Sequence, residues 1–207
     1  LTLRFAKITE VSAAPAVRWF AVFAFFLLAT IVQTWPLVLH AADRIVITRS
    51  SWGWTFDTLV FIWNLWWIKH ALLDLTNPYH TDFLYYPQGA DLYLHTLAPV
   101  NGIASVPLQV ATGNLFLSWN ILAIINFTLS GVGMYALAHR ITRNHAAALI
   151  AGYIFAFTPI VFVHFSSHWN ISTTWPIPLF VLFLIRLQDS AHWGNAAAAG
   201  GCWALLT

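Results

Sequence analysis

Long apolar runs, separated by shorter polar stretches, set the pattern of this chain. A helix needs about 20 apolar residues to cross a hydrocarbon core. The first such run, "VRWFAVFAFFLLATIVQTWPLVLH", is uncharged after Arg18. It predicts a first span over residues 17–39, after a short N-terminal stretch, 1–16. A signal peptide fits less well, because the run is long and lacks a small-x-small cleavage site. Later runs predict spans over 114–138, 146–163 and 170–187, with loops at 139–145, 164–169 and 188–194 between them. A fifth begins at about Asn195 and is cut at Thr207, so the chain reads as the N-terminal part of a longer protein. Pro159 should kink the third span, and Pro176 and Pro178 should sit in the first turns of the fourth.

Residues 40–113 are of mixed character. They hold two shorter helical stretches, about 57–73 and 99–112, and a turn-rich aromatic segment between them. Counting cations orients the chain. With neither short stretch spanning, Arg4, Lys7, Arg18, Arg140, Arg143 and Arg186 share one side, against Arg44, Arg49 and Lys69 on the other. The positive-inside rule then makes the N-terminus cytoplasmic and 40–113 a large extracytoplasmic loop. The two short helices would lie along the interface, with Trp63, Trp66 and Trp67 at headgroup level. The fold class expected is all-α, a polytopic transmembrane bundle in a cell (inner) membrane.

Composition agrees. The chain is 59% hydrophobic and 8% charged, against roughly a quarter charged for a soluble domain. A net charge of +2 with scattered cations gives no nucleic-acid surface. The single cysteine, Cys202, excludes an intrachain disulfide and a cysteine-based metal site.

Five of the seven acids lie in the first loop: Asp43, Asp57, Asp74, Asp82 and Asp91. Asp57 heads the Trp-rich stretch "FDTLVFIWNLWW". It reads as a helix N-cap, satisfying free N–H groups at a positive helix end. The same carboxylate, beside a bilayer and under a loop, suits a general base or metal ligand.

These features resemble the GT-C superfamily of integral-membrane glycosyltransferases. More closely, "TWPLVLH", "FDTLVFIWNLWW", "NPYHTDFLYYPQGADLYLHTLAP", "LAHRITRNHAAALIAGYIFAFTP" and "HFSSHWN" are similar to bacterial multi-span proteins grouped with family 39 or YfhO-like transferases. The resemblance covers roughly residues 30–187. It implies a cell-envelope hexosyltransferase that moves a sugar from a polyprenyl-phosphate donor to a glycan, lipid or protein acceptor, with inversion. It further implies that an early loop Asp is the catalytic base or a metal ligand. Asp57 fits best and Asp43, directly after the first span, is second. A strict Asp-x-Asp is absent, so no metal-binding residue is assigned, and a divalent cation (Mg2+ or Mn2+) stays open as cofactor.

A cationic or hydrogen-bonding group would help the departing phosphate. Arg44, Arg49, His95 and His168 are candidates, with Asn170 beside His168 on the same side. Tyr86 and its neighbours Tyr85 and Tyr93 could stack on a sugar or pack the loop. Asp91, in "GAD", reads first as a turn residue and second as a substrate contact. His80 and Asp82 read as a turn contact, and "HFSSH" lacks the Glu of a zinc-protease motif. His139 and His145, beside Arg140 and Arg143, fit membrane-lipid headgroups. A transporter or lipid flippase without covalent chemistry is the alternative; it requires polar groups at mid-span and broken helices. A scaffold that presents its loop to a partner is a third.

Overall fold

The computed structural model describes residues 15–206, apart from 47, 48, 51, 52, 55, 56, 166 and 167. The side chains of residues 49, 50, 53 and 54 also lie outside the description. The chain is 73% helix and 2% strand, which fixes the all-α class. The helices are α1 (Pro15–Gln33), α2 (Asp57–Leu73), α3 (Pro99–Thr112), α4 (Leu115–Thr142), α5 (His145–Ala156), α6 (Pro159–Phe165), α7 (Trp169–Ser172), α8 (Pro176–Asp189) and α9 (Trp193–Ala204). Two minimal antiparallel hairpins lie in the connector after α1: β1 (Arg49–Ser50) with β2 (Gly53–Trp54), and β3 (His80–Thr81) with β4 (Ala90–Asp91).

Among the described residues two helices, α1 and α4, are long and apolar enough to cross a membrane, and a third if α5 and α6 count as one span bent by 40°. The bend falls where Pro159 opens α6, since proline removes a backbone donor and clashes with the preceding turn. Pro176 likewise starts α8. The boundaries differ from the expected ones in three places. The first helix ends at Gln33, and residues 37–40 form a separate 3-10 turn. The expected loop 139–145 shrinks to two non-helical residues, because α4 runs on to Thr142 and α5 starts at His145. The expected fourth span is split, with α7 and α8 divided at residues 173–175. Helix α8 has 14 residues, roughly 21 Å of rise, which is short of a hydrocarbon core of about 30 Å.

Helix α4 is the hub, packed against α1, α2, α3, α5 and α8. Phe26 of α1 is fully buried and sits in a notch floored by Gly131 and Gly152. A Cβ on Gly131 would fall 2.3 Å from the Phe26 ring, and one on Gly152 would fall 2.6 Å from the Gly131 carbonyl. Small residues admit this approach; larger ones would separate the three helices.

A second core joins Leu37, Phe61, Ile62, Leu65, Trp119, Phe165 and Trp169. It draws the start of α2, the head of α4 and the α6–α7 connection to one end of the bundle. A third, around Trp67, Ile68, Leu92 and Leu97, seats the connector on α2.

Trp67 corrects the interfacial expectation. It is 6% exposed and its indole N–H donates to the Pro78 carbonyl at 2.8 Å. Trp63 stacks on it, and Trp66 meets Phe83 edge-on. At least Trp67 fastens the connector to α2 and cannot also face headgroups.

Where α3, α4 and the α7–α8 break meet, neutral polar side chains pair with one another. Asn101 donates to the Thr173 hydroxyl at 3.0 Å, and Asn126 reaches the same oxygen at 3.5 Å. Ser130 and Thr174 share a hydrogen bond of 3.0 Å. Buried amides and hydroxyls are costly unless satisfied, so these pairs pin the break in place.

Candidate functional site

Asp57 is the first residue of α2 and lies in its first turn, inside the helix and not at the cap. The carboxylate still sits at the positive end, where an anion interacts favourably with unpaired N–H groups. Behind it Thr58, Phe61 and Ile62 are buried, so the turn that carries it is anchored. The same core holds Phe165 and Trp169, which bracket His168 in sequence. The result is a contact across the fold: His168 Nε2 lies 3.3 Å from Asp57 Oδ2. Both side chains are about half exposed, at 45% and 53%.

The surroundings of His168 are built by its neighbours. Its backbone N–H donates to the His164 carbonyl at 2.6 Å, and the two imidazoles meet edge to face at 5.3 Å. His164 lies in α6 and His168 precedes α7, so they do not share a single helix face. Trp169 is buried and stacks on Trp119 of α4 at 4.0 Å, an aromatic contact worth about 0.5–1.5 kcal/mol beyond its area. His164 Nδ1 and Asn170 Oδ1 are buried with no partner among the described residues.

Asp43 and Arg44 form a separate unit. Asp43 lies 3.7 Å from its neighbour Arg44 and 3.9 Å from His40. Arg44 and Asp43 are each 65% exposed, and exposed pairs of this kind contribute little. What fixes their turn is the backbone. Asn120 of α4 donates to the carbonyls of Ala41 at 2.8 Å and Arg44 at 2.7 Å, and Asn114 donates to that of Ala42 at 2.8 Å. The Trp119–Asn120 dipeptide therefore underlies both the Asp43 turn and the His168 connection. Arg49 pairs with Trp54 in the β1–β2 hairpin, and its side chain lies outside the described residues.

The remaining candidates are engaged elsewhere. His95 Nε2 bonds to Asn64 Oδ1 at 2.8 Å, while Asn64 donates to the Thr96 carbonyl at 2.7 Å. Asn64 is fully buried in α2, seven residues from Asp57, so roughly 10 Å along the same helix face. Burial pushes His95 below an ordinary imidazole's range. Asp91 Oδ1 lies 2.8 Å from His80 Nδ1, and Asp82 Oδ1 lies 3.3 Å from His80 Nε2. Both ring nitrogens face carboxylates, a pattern only the doubly protonated imidazolium satisfies in full. The hydrogen bond to Asp91 raises His80 most; burial opposes it, and the contact with Asp82 adds to the rise. Asp91 lies on β4, not in a turn, and clamps the hairpin through His80. Tyr86 is 83% exposed on the connection between β3 and β4, while Tyr93 stacks on Tyr79.

Among the described residues no three His, Cys, Asp or Glu are grouped so as to hold a metal ion. Asp57 with His168 gives two donors, fewer than a metal site needs. The pairing of Asp57 with His168, and the structural roles of Asn64 and Asn120, were missed by sequence reasoning. The asparagines could have been flagged, because an amide inside an apolar run must find a buried partner. Comparisons with protein-family models, with curated proteins and with solved structures give no match.

Proposed function

We propose that this chain is part of a membrane glycosyltransferase that moves a sugar from a polyprenyl-phosphate donor to an acceptor hydroxyl on the extracytoplasmic face, with inversion. The observation that carries the reading is the Asp57–His168 contact at the end of the bundle where the long connector folds back. A carboxylate paired with an imidazole can accept a proton as a nucleophilic hydroxyl attacks. The lipid phosphate is a good leaving group and needs only charge stabilisation. Arg44 lies on the turn held by Asn120, next in sequence to Trp119, which stacks on Trp169, and would supply that charge. The donor's chain would remain among membrane lipids beside α1 and the bent α5–α6 pair. In this arrangement the N-terminus is cytoplasmic and the protein is a multi-pass inner-membrane protein.

The test is transfer of hexose from a polyprenyl-phosphate donor by the full chain, with and without Asp57→Asn. Transfer by the wild type and a loss of at least about 100-fold in the variant support the reading. An inserted variant with full activity defeats the assignment of Asp57.

A second reading is favoured by one observation. The α7–α8 break, lined by Thr173, Thr174, Asn101, Asn126 and Ser130, is a discontinuous helix with polar groups inside the bundle. Transporters place substrate at such breaks. Uptake of substrate into sealed vesicles without covalent change would decide for a transporter or flippase.

A further inference from the structure

We infer that Trp63 and His95 form a saccharide subsite along α2 from Asp57, where His95 Nδ1 accepts a hydrogen bond from a hydroxyl on the acceptor's second sugar ring. This rests on the transferase reading and names the acceptor class, a glycan of at least two rings. Asp57, Val60 and Trp63 are three residues apart, so they follow one ridge of the helix. Trp63 lies about 9 Å beyond Asp57 along the axis. Asp57 and Val60 are exposed and Trp63 is half-buried, so the ridge is open at its surface. The Trp63 indole meets the His95 imidazole edge to face at 6.4 Å. The histidine therefore stands at the far end of the ridge.

The state of the imidazole follows from its partner. Asn64 is fully buried and its amide nitrogen donates to the Thr96 carbonyl, so its amide oxygen is the atom 2.8 Å from His95 Nε2. That oxygen only accepts, so Nε2 carries the hydrogen and the neutral ring keeps its lone pair on Nδ1. No described residue hydrogen-bonds to Nδ1. Burial disfavours the imidazolium, so His95 does not supply charge to a departing phosphate and acts as an uncharged acceptor. Its backbone is also held. The His95 N–H donates to the Leu92 carbonyl at 3.1 Å, and the His95 carbonyl accepts from the Leu97 N–H at 2.8 Å. Leu92 and Leu97 are buried in the core that includes Trp67 and Ile68 of α2. Residues 93, 94 and 96 around the ring are exposed. An oriented acceptor on a fixed turn at the surface is preorganised for a hydroxyl donor.

A sugar ring presents both features this surface matches: hydroxyls that donate, and C–H groups that pack on an aromatic ring. The indole supplies the apolar side and Nδ1 the polar one. The polyprenyl-phosphate donor carries one hexose, whose anomeric carbon must sit at Asp57. The acceptor hydroxyl meets it there, and the distance from Asp57 to Trp63 leaves room for the acceptor's first ring before the subsite. Trp63 and His95 touch no reacting atom; they position the acceptor.

The experiment uses the full chain in nanodiscs, with polyprenyl-phosphate glucose as donor and octyl glucoside or octyl maltoside as acceptor, one ring against two. Wild-type kcat/KM should favour the maltoside. His95→Gln should cut that preference about tenfold, the size of one neutral hydrogen bond, mainly through the KM of the maltoside. Glutamine keeps an amide N–H for Asn64 and presents no acceptor at the Nδ1 position, so the turn stays fastened. Trp63→Leu should cut the preference as well. An unaltered preference in both variants overturns the inference. So does a His95→Gln effect confined to the KM of the donor, which would place the hydroxyl on the donor sugar. Saturation-transfer NMR with methyl maltoside on the same samples needs no turnover. A wild-type signal that His95→Gln weakens supports the subsite, and no wild-type signal overturns it. Nitrogen NMR of the wild type needs no variant to fold: neutral His95 should carry its hydrogen on Nε2, and an Nδ1–H tautomer overturns the assignment. A wild type that binds methyl maltoside through His95 but transfers from no donor removes the transferase reading while supporting the sugar subsite, so the two fail separately.

Discussion

His80 and His168 both face carboxylates, and the contrast between them separates scaffold from site. His80 is held by Asp82 and Asp91, both within a short hairpin, at 3.3 and 2.8 Å. Its two nitrogens are both committed to local partners, and nothing distant is brought together. His168 meets Asp57 from a helix that precedes it by several elements. That contact needs the core of Phe61, Trp119 and Trp169 to exist at all. A histidine–carboxylate contact made within one turn stabilises that turn; one made across a fold marks where separate elements converge on a surface. Exposure does not distinguish them, since His80 is 43% exposed and His168 45%. Origin in the chain does.

The sharpest break of this comparison is a pair of isosteric changes. Asp57→Asn should reduce sugar transfer by at least about 100-fold, whereas Asp91→Asn should leave it within about twofold, a difference of surface-contact size. Initial rates from one donor measure both, and a silent Asp57→Asn with a dead Asp91→Asn would reverse the assignment. Next in size is Gly89→Ala. Gly89 has φ +75°, and a Cβ there would lie 2.8 Å from both Asp82 Oδ1 and His80 Nε2. Left-handed strain and the clash together should cost about 1–3 kcal/mol, read as a lower melting temperature with transfer retained.

Smaller effects follow pH, with opposite signs. His80 is raised by Asp91 and Asp82. Its contribution is therefore full below the ordinary imidazole value of about 6.5 and lost as pH rises through the raised one. Amide exchange over residues 80–91 should quicken on the alkaline side, and His80→Gln should flatten that trend. His95 is lowered by burial. Its contribution is present above the ordinary value and lost as pH falls through the depressed one. Exchange at residues 95–97 should quicken on the acid side, by less than at the clamp if only one group titrates there.

Much of the helix plan was legible because proline and apolar length leave few alternatives. Residues 57–73 and 99–112 are helical as their pattern predicts, and Pro159 and Pro176 each open a helix. The split at 173–175 was not legible. Ser172, Thr173 and Thr174 look tolerable inside a span, and only their partners Asn101, Asn126 and Ser130 on other helices show why the chain breaks there. The Trp cluster misled for a related reason. Indole suits a membrane interface and a protein core equally well, and the Pro78 carbonyl that receives the Trp67 N–H lies beyond any local pattern. The site was half legible. Asp57 could be singled out as an acid at a helix start and His168 as a polar group on the same side, but their direct contact could not. Spacing carries no information about two residues joined only through a core.

The notch around Phe26 bears on how the molecule is assembled. Its floor belongs to Gly131 and Gly152, on helices made long after the first has left the ribosome. Until those arrive, α1 has no socket for Phe26. The helix's broad apolar surface suits that interval: Val17, Phe20, Leu28 and Val32 still face outward when the bundle is complete. Helix α1 is thus seated only after α4 and α5 have both emerged.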